Sequence, residues 1–172
     1  VGPDNRKGAK LAGDHLAKRL QAGDKVAVIE GAPNAFNAVQ RKLGFEDAMK
    51  AAGASIVSSQ SGYWETDKAN QVVAALVTEH PDLKAILCSN DSMALGAVAA
   101  LRAAGKTGQI LVVGYDNISA ANQLLKEGKL LATVDQHADR LAVFGIEYAL
   151  EMIRTKAAPA DRETPVDLIA TE

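Results

Sequence analysis

Arg41, Trp64, Asn90, Asp116 and Gln136 are the side chains in this sequence best suited to hold a ligand, with Phe36, Asn37 and Tyr115 beside them. Each falls just after a short apolar run that reads as a strand or in the turn that follows one. The set mixes fork-shaped polar groups with aromatic rings. A polyhydroxylated molecule asks for that mixture, because each hydroxyl both donates and accepts. Asp116 can take two donors, Arg41 can supply paired donors, and Asn90 or Gln136 can do one of each. The indole of Trp64, the only tryptophan, suits the apolar C–H face of a sugar ring. Taken singly these residues have plainer readings. Asn90, Asp91 and Asp116 stand where helix N-caps belong, Arg41 reads equally as a solvated surface charge, Trp64 as a cover over the core, and Gln136 as a partner for loop backbone. Their joint placement after successive strands favours the ligand.

The elements that must position them alternate. Lys25 to Glu30, Ser55 to Ser59, the run from Ala85 that ends in Ser89, Asn90 and Asp91, the run that ends in Tyr115 and Asp116, Leu130 to Asp135 and Pro165 to Ala170 are strand-like runs. Helical patterns separate them. Asp4 and Asn5 precede one with an apolar stripe at Ala9, Ala12, Leu16 and Leu20, and Gly23 suits its end. Phe45, Ala48, Met49 and Ala52 mark a second, and Thr66 is the expected cap of a third that Pro81 terminates. The alternation predicts an α/β fold, a doubly wound, mostly parallel sheet with helices on both faces. In such sheets, polar residues after parallel strands line one edge, where ligands bind. The pattern Asp139 to Lys156 fits less simply. Leu141, Phe144, Tyr148 and Met152 form one apolar stripe and Ala142, Ile146, Ala149 and Ile153 another, so this helix expects partners on more than one side.

The 172 residues suffice for one well-buried domain, and a net charge of -2 without a basic cluster argues against a nucleic-acid surface. Cys88 is alone, so no disulfide forms within the chain, and its place at a strand end reads as a small buried hydrophobe. Nothing in the sequence calls for a cofactor or metal. The GKT triplet at 105–107 has Ala100 where a phosphate loop needs glycine and follows a helix rather than a strand, and no G-x-G-x-x-G follows a strand. His15, His80 and His137 lack ligand spacing. No nucleophile is visibly paired with a base.

The segments DNRKGAKLAGDHLAKRL, EGAPNAFNAVQRKLGF, HPDLKAILCSNDSMALGAVAALRAAGKTG, ILVVGYDN, GKLLATVDQ and PVDLIATE resemble, in order and spacing, the C-terminal part of bacterial periplasmic sugar-binding proteins of the ribose-binding type. The resemblance implies a type I periplasmic binding protein lobe, flavodoxin-like, from a periplasmic solute receptor that is not an enzyme. Such a receptor closes two lobes on a monosaccharide and delivers it to an ABC transporter permease. It maps the family's ligand-binding arginine onto Arg41, its stacking aromatic onto Trp64, its strand-end asparagine onto Asn90, its acidic residue onto Asp116 and its hinge-side glutamine onto Gln136. Phe36 and Asn37 depart from the small residues of the ribose pattern, and Tyr115 and Trp64 stand where phenylalanine is common. Another pentose, a hexose or a sugar alcohol therefore stays open as the ligand.

The resemblance also divides the chain. Residues 1–136 correspond to the sugar-binding lobe, 137–158 to a helix that packs in family members on an N-terminal lobe missing here, and 159–172 to a linker and last strand. In isolation this helix is expected either to dock on its own lobe or to exchange between two chains as a homodimer through 139–156. Asp116→Ala and Arg41→Ala are both expected to abolish binding in a complete receptor with little effect on folding. A second resemblance, through NDSMALGA and GYDN, is to the effector-sensing lobe of lac-repressor-like regulators. Lys106 to Gln109 lacks the proline and acidic residue common there, and QAGDKVAVIEG lacks their usual Gly-His pair.

Overall fold

The computed structural model describes residues 1–156, 158 and 160–170. The elements run β1 (Gly2–Pro3), α1 (Asn5–Ala17), β2 (Lys25–Glu30), α2 (Phe36–Ala52), β3 (Ser55–Ser61), α3 (Thr66–Glu79), β4 (Leu83–Cys88) and α4 (Asp91–Ala103). They continue with β5 (Leu111–Val113), α5 (Ser119–Lys126), β6 (Ala132–Asp135), α6 (Ala138–Thr155), β7 (Glu163–Thr164) and β8 (Asp167–Ala170). Among the described residues the main sheet has six strands in the order β3-β2-β4-β5-β6-β8. The first five are parallel, and β8 pairs antiparallel with β6 from Ala132↔Ala170 to Asp135↔Asp167. The α/β architecture with a mostly parallel sheet is the one the alternation predicts.

Side-chain alternation along the strands splits the core between the two faces. Val26, Val28, Ala85 and Leu87 face α1 and α2, where Ala9, Leu16, Phe45 and Met49 close the layer. Ala27, Ile29, Ile86 and Cys88 face the opposite layer of Val73, Leu76, Met93, Leu101 and Leu125 from α3, α4 and α5. Successive residues of a strand point to opposite faces, so these runs must be apolar throughout. Cys88 is fully buried there, as its strand-end position suggests, and burial pushes its thiol pKa up.

Local chemistry corrects several boundaries. Asp4 caps α1 by accepting the Lys7 N–H, but the helix stops at Ala17, and Gly23 instead serves a later turn with φ 88°. Thr66 is the first helical residue of α3 rather than its cap; Glu65 holds the cap position without a side-chain bond. The two-residue pairing of β1 with β7 has no pattern to announce it, and it ties the start of the chain to the segment returning from α6.

That segment is the exception to the layered packing. No residue of α6 is buried among those described. Leu141, Phe144, Tyr148 and Met152 are half-buried on the side where the chain returns. There the Tyr148 hydroxyl donates to the Ala160 carbonyl at 2.9 Å, and Arg162 pairs with Glu151 at 3.1 Å. The other stripe is open, with Ile146 62 %, Leu150 61 % and Ile153 76 % exposed. Docking of this helix on its own lobe is therefore not what the fold does, because α1 and α2 already cover one face of the sheet and α3 to α5 the other. Of the 159–172 stretch, residues 159, 171 and 172 lie outside the described residues.

Candidate functional site

The sheet reverses winding direction between β2 and β4: α2 carries the chain outward to β3, and α3 brings it back to β4 on the other side of β2. The crevice beyond the carboxyl ends at such a reversal is where open α/β sheets bind ligands. Arg41, from the second turn of α2, reaches across it. Its side chain is only 4 % exposed, so the reading as a solvated surface charge is set aside.

Arg41 organises the edge. Its Nε donates to Asn5 Oδ1 at 2.9 Å, Nη1 donates to the Ser89 carbonyl at 2.8 Å and to Asp116 Oδ1 at 3.2 Å, and Nη2 donates to Gln136 Oε1 at 3.4 Å. Gln136 closes the ring by donating from Nε2 to the same Asp116 Oδ1 at 2.7 Å. Four of five guanidinium N–H groups are thus engaged, and among the described residues one on Nη2 has no partner. Asp116 Oδ2 has none either, and the Asp116 side chain is 25 % exposed. One guanidinium donor and one carboxylate oxygen are thus left unpaired in a network drawn from α1, α2 and the loops after β4, β5 and β6. A hydroxyl, which both donates and accepts, can use either. Burial raises the Asp116 pKa, opposed by the Arg41 charge and by its hydrogen bonds from Arg41 and Gln136.

The aromatic residues divide into support and surface. Tyr115 is fully buried, and the Arg41 guanidinium lies over its ring at 3.7 Å from the centroid. Its expected part as a ligand contact is corrected: the ring is a shelf beneath Arg41, positioned through a cation–π contact. Burial pushes its hydroxyl pKa up to about 12. Trp64 sits half-buried against the core layer that α3 and α4 close, its ring centroid 5.6 Å from the guanidinium carbon. Its indole packs against Gly31, where any side chain would overlap the ring. The turn that presents it places Tyr63 and Trp64 consecutively in left-handed conformation, φ 54° and 67°. Phe36, at the first residue of α2, is 77 % exposed. Asn37 accepts the Ala38 N–H through Oδ1 at 3.1 Å and lies on the same helix start. A groove of about 430 Å³, lined in part by Asn5, Phe36, Gln40 and Arg162, shares Asn5 with the Arg41 network, and none of Arg41, Trp64, Asn90, Asp116 and Gln136 lines it.

Asn90 and Asp91 part company. Asn90 caps α4, its Oδ1 accepting the Met93 N–H at 2.9 Å, with the side-chain amide left over for another partner. Asp91 is completely buried and points away from the edge, so its placement among the edge groups is corrected. Asp116 is not a helix cap: α5 starts after Ile118. Sequence reasoning missed Asn5 and the Ser89 carbonyl as partners of Arg41. With Asp4 and Asn5 adjacent, one cap was enough for α1, and the spare asparagine was the available signal.

The family model of the periplasmic binding protein domain matches residues 1–157. The chain belongs to this family. Among curated relatives it is 57 % identical to the D-ribose/D-allose-binding protein of Pseudomonas aeruginosa, over 98 % of this chain and 54 % of the relative. The chain thus spans about half the length of such relatives. Among solved structures, a periplasmic solute-binding protein of an ABC transporter from Actinobacillus succinogenes with bound D-allose superposes with a TM-score of 0.93 at 36 % identity, covering 99 % of this chain and 60 % of that one. The myo-inositol binding protein of Caulobacter, bound to myo-inositol, does so at 0.92 and 32 %, with the same coverage. The type I periplasmic binding protein lobe is therefore the fold of this chain.

Proposed function

We propose that this chain is the C-terminal lobe of a periplasmic receptor that captures a monosaccharide or cyclic polyol and delivers it to an ABC importer, without catalysing a reaction. The observation that carries the reading is the Arg41–Asp116–Gln136 ring at the sheet edge, with one Nη2 donor and the Asp116 Oδ2 acceptor left unpaired. Trp64 supplies the stacking face, Asn90 a further amide, and Phe36 and Asn37 line the α2 side. Tyr115 acts from beneath through Arg41. Relatives and neighbours whose names specify D-ribose, D-allose and myo-inositol support this ligand class. Closure would come from rotation about the crossings near Gln136 and Pro165, where the body passes to α6 and takes the chain back.

The open stripe of α6 fits the same reading. A companion lobe covers Ile146, Leu150 and Ile153 in the complete receptor, and two chains exchange this surface when it is absent. Binding to one lobe alone forfeits roughly half the contacts. If a whole receptor binds at micromolar strength, about 8 kcal/mol, the single lobe falls to about millimolar or weaker. The test is a thermal-shift panel of pentoses, hexoses and polyols on the two-lobed protein, since a ligand that binds the native state raises its apparent stability. A concentration-dependent rise for one sugar or polyol is expected; no shift across the panel at millimolar ligand contradicts the reading.

A further inference from the structure

Asp116 sits in the site with φ 112°, and Asn117 follows at φ 55°. Backbone of this kind persists in a non-glycine residue only where the surroundings over-determine it. Tyr115 to Ile118 is held at every backbone N–H from Asp116 onward. Asp116 N–H donates to the Val134 carbonyl at 2.7 Å, Asn117 N–H to Thr133 Oγ1 at 3.2 Å, and Ile118 N–H to Asp91 Oδ2 at 3.0 Å. The Thr133 hydroxyl then donates to Asp91 Oδ1 at 2.8 Å, and the Asp91 N–H donates to the Tyr115 carbonyl at 2.7 Å. Asp91 and Thr133 are both fully buried, and Gly114 leaves the space that Asp91 Oδ1 occupies.

The position of Asp91 at the start of α4 suggests a residue serving its own helix. It does not do so through its carboxylate. Asn90 supplies the side-chain cap of α4, and the Asp91 carboxylate spends both oxygens on the neighbouring loop and strand. No cation pairs with it among the described residues. A buried carboxylate with no cation partner is a costly group to retain for stability alone.

We propose that Asp91 and Thr133 are a positioning pair for the binding edge: together they clamp both sides of the Tyr115–Ile118 loop and thereby aim the Asp116 carboxylate at Arg41 and at the ligand. They touch no ligand themselves. This rests on the sugar reading of the Arg41–Asp116–Gln136 ring. Direction matters in the clamp. Thr133 accepts from Asn117 and donates to Asp91, while Ile118 also donates to Asp91, so position 91 must offer two acceptors. An asparagine offers one acceptor and one donor, and either amide orientation loses one of the two bonds.

The test uses the two-lobed receptor carrying this lobe, with Asp91→Asn, Thr133→Val, Thr133→Ser and, as a stability control, Leu101→Ala. Two readouts are taken: calorimetric titration with D-ribose, D-allose and myo-inositol, and hydrogen exchange of the Asn117 and Ile118 amides without ligand. Asp91→Asn and Thr133→Val are expected to speed exchange at these amides about tenfold or more relative to Gly114. They should weaken the best-bound probe about tenfold or more, while Thr133→Ser restores both readouts. Leu101→Ala should lower the melting temperature and leave affinity within about twofold. Folded variants with unchanged exchange, or with wild-type affinity, overturn the proposal. If the wild type binds none of the three probes, the sugar reading fails, and exchange alone decides whether the loop is clamped. If Asp91→Asn does not fold, the Thr133→Val and Thr133→Ser pair decides.

Discussion

The helices α4 and α6 are both long and apolar along the chain, yet one is built into the lobe and the other stands outside it. In α4, Met93, Ala97 and Leu101 are all at most 2 % exposed, locked between the sheet and the helices beside it. In α6 no described residue is buried, and Ile146, Leu150 and Ile153 face outward. The difference teaches that apolar pattern reports a need for a partner, while the partner's whereabouts is set by topology. Both faces of the sheet are already covered before α6 begins, so the stripe of Ile146, Leu150 and Ile153 stays exposed.

Substitutions can break or sharpen that contrast. The largest effect is expected for Arg41→Ala. From the sequence alone the substitution is expected to have little effect on folding, but Arg41 is buried and binds Asn5, Ser89, Asp116 and Gln136 at once. Removing it strands the Asp116 carboxylate and empties the space over Tyr115, at a cost of about 3–5 kcal/mol in denaturant unfolding. Arg41→Lys should not restore it, since an ammonium cannot reproduce four donors in a fixed plane. Leu101→Ala in α4 should cost about 2–5 kcal/mol. Leu150→Ala in α6 should stay within about 0.5 kcal/mol for this chain by itself. A comparable loss at both positions would mean that α6 is packed on the body after all.

Dependence on pH separates the two regions again. Burial pushes the Asp91 pKa up to about 7, against the hydrogen bonds from Thr133 and Ile118, and the Asp116 charge adds to the rise. An unfolded carboxylate titrates near about 4, so between these values the folded state holds a proton that the unfolded state has released. Stability from this group is fully present below about pH 4 and is lost as pH rises through about 7, on the order of 1 kcal/mol per unit. Asp116, also raised, acts in the same sense. Asp47, Asp82 and Glu127, held low by hydrogen bonds from Arg6, Lys25 and Lys129, act oppositely, in a window below the ordinary carboxylate range. Melting curves from pH 4 to 7 should therefore fall for the body, and the fall should flatten in Asp91→Asn. Because α6 has no buried side chain, exchange of its amides relative to the body's should show no such trend. The smallest effect concerns association. Sizing at high concentration should show a dimer of the isolated chain that Ile146→Glu abolishes without lowering the melting temperature; an unchanged monomer for the parent chain would remove the exchange reading.

Much of this was legible in the residues because strands buried on both faces must be apolar throughout and helices must repeat every three to four positions. The order of elements, the edge and its main polar groups follow from those two periodicities. What stayed hidden depends on contacts between distant positions. Arg41 reaches Asp116 and Gln136, 75 and 95 residues away, so its burial could not be read from its neighbours. Tyr115 adjoins Asp116 in sequence and so reads as a ligand contact, but its ring is fully buried with the Arg41 guanidinium over it. Asp91 and Thr133, 42 residues apart, meet only when β6 lies beside β5. The β1–β7 pairing is two residues long, too short for alternation to register.

The central claim is that the Arg41–Asp116–Gln136 ring grips ligand hydroxyls, and calorimetric titration of Asp116→Ala in the two-lobed receptor tests it most directly. With the sugar or polyol identified by thermal shift, the account predicts loss of about 100-fold or more in affinity, since a charged hydrogen-bonding group in the site is worth about 3 kcal/mol. Affinity equal to the wild type in a folded Asp116→Ala receptor would contradict it.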